Sequence, residues 1–145
     1  MINILNAEPV GYSENARAIL RAVGELHEEA LDRDGLLAAA GQFDVLIVRL
    51  GLLVDQEVID AADKLKFIVS ATTGLDHIDV EYAGSRGINV LSLKGETDFL
   101  RSIPATAEHT WALLLALLRR IPAAVTSVHQ GTWDRDLFRG NELYG

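Results

Sequence analysis

The chain has 145 residues, 49% of them apolar and 23% charged, with no cysteine and a formal net charge of −8. That composition excludes a disordered chain, a disulfide framework, a thiolate metal site and a thiol nucleophile, and acidity of this size argues against non-specific nucleic-acid binding. The charge is uneven: residues 1 to 80 carry 14 acids and 6 bases, residues 81 to 145 carry 7 of each, so the sequence is compositionally two pieces.

The N-terminus, "MINILNAEP", lacks a basic segment and meets Glu8 early, so no cleaved leader is expected. The longest wholly apolar run, eight residues from Trp111 to Leu118, is far short of the roughly 20 that span a bilayer. No membrane segment and a cytoplasmic location are the expectation.

Four short apolar runs recur along the first two thirds: "INIL" at 2 to 5, "VLIV" at 45 to 48, "FIV" at 67 to 69 and "INVL" at 88 to 91. Runs of this kind suit strands covered on both faces. After the first, Ala16, Ile19, Leu20 and Val23 fall at helical spacing, with Ser13 as N-cap and Gly24 as stop. A weaker strand over Leu26 to Ala30 and a helix over Asp34 to Ala40 come next, and Asp55 to Asp63 and Asp79 to Ser85 predict two further helices. Alternation of this kind predicts an α/β fold with a doubly wound parallel sheet of about five strands. Ligands of such sheets bind outside the C-terminal strand ends, where strand order reverses.

From Ser102 the character changes. Pro104 suits a first helical turn, Glu108 lies early, Arg119 and Arg120 late, and Pro122 marks a break, so one long helix is expected over Pro104 to Ile121. Its middle, "WALLLALL", is apolar all round and calls for a second surface, either the core of a larger domain or a dimer interface. Ala123 to Gly145 reads as an irregular C-terminal arm. The division expected is a domain at 1–101 and a helix with its arm at 102–145.

No G-x-G-x-x-G, Walker, zincin or serine-elbow pattern is present, and the four histidines make no close pair, so no metal site is expected. The segment "SATTGLDHID", Ser70 to Asp79, is the informative one. After a buried strand, Thr72 to Leu75 makes a tight turn in which a left-handed Gly74 leaves successive backbone N–H groups aimed outward as an anion nest. Asp79 fits as the next N-cap and Asp76 as a brace. The alternative is a plain strand-to-helix turn. Arg49 ends a neighbouring strand, where it either clamps a carboxylate or pairs with an acid such as Asp76.

The stretch "VLIVRLGLLVDQEVIDAADKLKFIVSATTGLDHIDVEYAGSRGINVLSLKGETDFLRSIPATAEHTWALLLALLRRIPAA" resembles the N-terminal part of the NAD-dependent D-2-hydroxyacid dehydrogenases, nearest to their phosphoglycerate-dehydrogenase-like branch. The resemblance is carried by Arg49 at its strand end, T-G-L-D-H-I-D with A-x-x-x-G-I-x-V behind it, Ala107 with Glu108, and L-L-A-L-x-R-R-I-P. It implies a flavodoxin-like substrate domain in which Arg49 and the amides of Thr73 and Gly74 hold the carboxylate of a small 2-oxo or 2-hydroxy acid. It implies a homodimer through the 104–121 helix and places Thr106 near the nicotinamide of NAD. The family's catalytic arginine and histidine–glutamate pair lie downstream of its glycine fingerprint, beyond "NELYG", so no catalytic residue is expected in this chain and it is not expected to turn over alone.

Two departures from the family stand out: Leu50, where many relatives carry a small polar residue, and a longer loop from Gly95 to Ala107 in which Phe99, Leu100 and Arg101 read first as a surface insertion. Other functions weighed are a non-catalytic dimerising module that binds a 2-oxo acid and a phosphoreceiver-like domain. The second lacks its acceptor carboxylate, since Arg49 stands there, and retains only Glu8 after the first strand.

Overall fold

In the computed structural model, residues 1 to 144 are described. The chain falls into two units, Met1–Glu96 and Thr97–Gly145.

The first unit is a five-stranded sheet of β1 (Asn3–Asn6), β2 (Glu25–Glu28), β3 (Val45–Val48), β4 (Phe67–Ser70) and β5 (Asn89–Ser92). All pairs are parallel and the order is β2-β1-β3-β4-β5. That is the flavodoxin-like arrangement, whose order reverses between β1 and β3. The helices between strands are α1 (Glu14–Val23), α2 (Arg33–Ala39), α3 (Gln56–Ala61) and α4 (Val80–Ser85).

Each of these helices begins where a non-helical residue offers a side-chain oxygen to the first turn. Ser13 accepts from the Ala16 N–H, Asp32 from Gly35, Asp55 from Val58 and Asp79 from Tyr82, over 2.9 to 3.2 Å. The end of α4 explains the A-x-x-x-G-I-x-V pattern in purely structural terms. Gly87 is left-handed at φ 77°, its N–H donates to the Gly84 carbonyl at 3.0 Å, and the Ile88 N–H reaches back to Ala83 at 2.9 Å. This double closure satisfies the last helical carbonyls and launches β5.

One core lies between the sheet and α2, α3 and α4, and includes Leu5, Leu46, Val48 and Ile68 from strands with Leu36, Val58, Ile59 and Ala83 from helices. Burial of these side chains is what fixes the register of such short strands. At the N-terminal rim the backbone is tied strand to strand: Glu25 donates to Ile2, Asp44 to Asn3, Lys66 to Asp44 and Asn89 to Lys66, all at 2.8 or 2.9 Å. At the opposite, C-terminal rim the outer pairs are tied more loosely, Glu29 to Asn6 at 3.2 Å and Leu93 to Thr72 at 3.1 Å. Between them, after β3, the N–H groups of Arg49 and Gly51 go to a side chain instead.

The second unit departs from expectation. Pro104 to Ile121 is not one helix: a short helix α5 (Thr97–Arg101) forms within the expected loop, followed by α6 (Ala105–Leu118) and α7 (Ile121–His129). The break lies at Arg120, which is left-handed at φ 52°, and the two helices bend by 66°. Pro122 does not end a helix but opens one, because its missing N–H costs nothing in a first turn. The arm is therefore helical in its first part. It stops where Gly131 turns left-handed and the Thr132 N–H bonds the Ser127 carbonyl at 3.0 Å. The remaining segment returns to α6, with the Asn141 N–H on the Leu118 carbonyl at 2.9 Å. None of the side chains of α6 is buried. Among the described residues no single helix is long and apolar enough to cross a membrane.

Candidate functional site

The reversal between β1 and β3 opens a crevice of about 500 Å³ at the C-terminal rim, lined by Glu8, Val10, Arg49, Leu50, Ala71 and Thr72 among others. Register makes this placement unavoidable. Asn6 stands opposite Ile47 and Val48 opposite Ser70, so the chain leaves β1, β3 and β4 at neighbouring points.

Arg49 is exposed, and its Nη1 donates to the Val10 carbonyl at 3.0 Å. It pairs with no carboxylate among the described residues, Asp76 included. The plain ion-pair alternative is therefore not realised, and the guanidinium keeps most of its donors open to solvent.

Glu8 carries no site assignment from the sequence, and the structure gives it a definite task. Its carboxylate accepts from the backbone N–H of Arg49 at 2.5 Å and of Gly51 at 2.9 Å, capping the loop after β3. Those partners are 41 and 43 residues away in sequence. No local pattern announces them. A Cβ on Gly51 would sit 2.8 Å from Glu8 Oε1, so a side chain there would displace the carboxylate end of Glu8.

The loop from Pro9 to Tyr12 is held from behind. Asn6, fully buried, donates to Glu28 Oε1 at 3.1 Å and accepts from the Glu8 N–H at 3.3 Å. Arg17 joins Glu28 Oε2 at 2.7 Å to the Tyr12 carbonyl at 2.7 Å. That guanidinium holds the Glu28 carboxyl below the usual carboxylate range, against a smaller opposing effect of burial. Burial raises the Tyr12 phenol above its ordinary value, with Arg49 pulling the other way.

The turn of Ser70 to Asp79 forms without a left-handed Gly74, which corrects the expectation for that residue. Side chains shape it instead. Ser70 Oγ lies 2.8 Å from Thr72 Oγ1 and 3.1 Å from His77 Nε2, and Thr72 Oγ1 donates to the Gly74 carbonyl at 2.7 Å. The His77 backbone is pinned by Val54, whose N–H donates to its carbonyl at 2.8 Å. Thr73 and Gly74 follow Thr72 on the exposed side of the turn, and their N–H groups donate to no acceptor among the described residues. Asp79 caps α4 as expected. Arg49 and Thr72 thus share the crevice, with Thr73 and Gly74 one and two residues beyond its wall. Thr106 belongs to the other unit, exposed in the first turn of α6, its carbonyl accepting from Thr110 Oγ1 at 2.8 Å.

Residues 4–132 match the family described as D-isomer specific 2-hydroxyacid dehydrogenase, catalytic domain. A D-3-phosphoglycerate dehydrogenase from Mycobacterium bovis is 46% identical over 114 residues, covering 79% of this chain and 21% of that protein. Among solved structures, the TT0316 protein of Thermus thermophilus superposes with a TM-score of 0.83 at 29% identity, over 99% of this chain and 46% of that one. A D-lactate dehydrogenase from Aquifex aeolicus, solved with NAD and lactic acid, shares the fold at TM-score 0.79 and 22% identity, over 97% and 41% of the respective chains. The chain thus spans about a fifth of the mycobacterial relative's length.

Proposed function

The chain belongs to the D-isomer specific 2-hydroxyacid dehydrogenase family, within its catalytic domain, and on that premise we propose that its switch-point crevice holds the carboxylate of a small 2-oxo or D-2-hydroxy acid. The observation that carries this reading is Arg49, a guanidinium at the crevice that, among the described residues, has one backbone hydrogen bond and no carboxylate partner. Its planar fork matches a carboxylate in two parallel bonds. The unbonded amides of Thr73 and Gly74, on the adjoining turn, supply further donors of the kind that hold an anion.

The parent activity in this proposal is an NAD-dependent oxidoreduction of the CH–OH group, in a cytoplasmic enzyme of the phosphoglycerate-dehydrogenase-like branch. The sequence carries no G-x-G-x-x-G pattern, and Thr106 is the candidate of this chain toward the nicotinamide. Hydride transfer accordingly draws on a dinucleotide-binding part that these 145 residues do not contain, and the chain alone binds without turning over. Self-association through α6 is part of the same reading, because the middle of that helix is apolar all round and none of its side chains is buried.

The test is an amide-resolved NMR titration of the purified chain with hydroxypyruvate. Saturable shifts at Arg49, Thr73 and Gly74, weakened about tenfold in Arg49→Lys by loss of the fork, are the expected result. A silent crevice at saturating acid would refute the assignment.

A further inference from the structure

We propose that this crevice selects acids whose C2 substituent is apolar and uncharged, and rejects acids that carry a second anion such as a phosphate. The inference rests on the carboxylate reading of Arg49.

A phosphorylated substrate needs donors or a cation for its second anion. Loops at strand ends usually provide them through backbone N–H groups, and the loop after β3 has such a pair, on Arg49 and Gly51. Both already donate to Glu8. The seat is filled by the chain's own carboxylate, and Gly51 leaves room for Glu8 Oε1 at 2.9 Å from its N–H.

Charge points the same way. Of the residues lining the crevice, Arg49 is the one cation and Glu8 the one anion. When Arg49 binds the substrate's carboxylate, a phosphate on the other end finds no second cation among the lining residues and shares the crevice with the Glu8 carboxylate. Like charges a few ångströms apart, in a partly desolvated cleft, discriminate against a ligand more sharply than a missing contact does.

The walls supply the positive half of the preference. Val10 and Leu50 line the crevice and are 77% and 71% exposed, large apolar side chains with nothing covering them. Ala71 and Leu31 continue the apolar lining. An alkyl substituent gains by covering that surface, whereas a hydrated phosphate loses water and receives no partner in exchange.

The experiment compares two probes, 4-methyl-2-oxopentanoate and 3-phosphohydroxypyruvate, titrated into the full chain by NMR. The branched acid is expected to bind about tenfold more tightly or better, with shifts spreading from Arg49 to Val10 and Leu50. Equal or tighter binding of the phosphorylated acid overturns the selectivity while leaving the carboxylate reading intact. Binding of neither acid overturns both. Leu50→Arg places a cation at an exposed position that the fold does not use, and is expected to erase or invert the ratio. Glu8→Gln keeps the side chain's shape without its charge and is expected to strengthen the phosphorylated acid several-fold; a ratio unmoved by both variants also overturns the proposal.

Discussion

Asn6 Nδ2 donates a hydrogen bond to Glu28 Oε1 at 3.1 Å between two residues that stand directly opposite each other on β1 and β2. Asn6 is fully buried and its oxygen also accepts from the Glu8 N–H, so one side chain couples the sheet edge to the crevice. Asn6→Leu preserves volume but leaves those partners unmatched. It is expected to lower the free energy of unfolding by about 1–3 kcal/mol in a urea titration. A change within about 0.5 kcal/mol, the range of ordinary surface substitutions, would show that the network is dispensable.

Stability should respond to acid through one carboxylate at each rim of the sheet. Arg17 holds the Glu28 carboxyl low, and the Asn3 N–H followed by Lys66 does so for Asp44. Both groups are more acidic folded than unfolded, so each stabilises the fold fully above the ordinary carboxylate range. That contribution is lost as pH falls through the lowered folded values. Urea midpoints between about pH 7 and pH 3 are expected to be flat at first and to drop in the acid limb. In Arg17→Met the limb should be shallower. An unchanged slope in that variant would separate Glu28 from acid sensitivity.

Two glycines predict opposite outcomes. A Cβ at Gly24 would lie 2.3 Å from the Ile2 carbonyl oxygen, which already accepts from Glu25 at 2.8 Å, so backbone must move to admit it. Gly24→Ala is expected to cost about 1–3 kcal/mol. Gly84, inside α4, has nothing within 4 Å of the equivalent point. There alanine is expected to gain up to about 1 kcal/mol from helix propensity alone. Thermal melts of the two variants side by side decide it, and a shift of the same sign in both would contradict the steric account.

The exposed apolar surface of α6 predicts association. Leu113 and Leu117 are 58% and 76% exposed on one face of that helix. Light scattering at tens of micromolar is expected to give a dimer for the wild-type chain and a monomer for Leu113→Glu with Leu117→Glu. A monomer in both would remove the self-association proposal.

Much of the sheet unit could be read from local signals. Ser13, Asp55 and Asp79 announced helix starts because an N-cap is a property of a few adjacent residues. "VLIV" marked β3 to the residue because a strand buried on both faces has no polar interruption. The second unit misled at Pro122, since proline serves equally as a stop and as a first-turn residue, and only the left-handed Arg120 before it decides between them. The chemistry of the rim was half visible. Arg49 stood out as a charge ending an apolar run, whereas Glu8 acquires its meaning from amides more than 40 residues away, a relation that no periodicity encodes. A glycine after a buried strand can turn left-handed, but Gly74 does not, and the hydroxyls of Ser70 and Thr72 shape the turn instead.

The backbone ties along the N-terminal rim, from Ile2 through Asn3, Asp44 and Lys66 to Asn89, give the sheet a sewn edge opposite a looser one. A change of length or sequence on the looser edge does not slip the strands, because their alignment is set by the buried core and held again at the far side. Recognition can therefore be rewritten in the loops after β1, β3 and β4 while the scaffold keeps its register, and an engineer seeking a new ligand would leave the hem alone and work at the mouth.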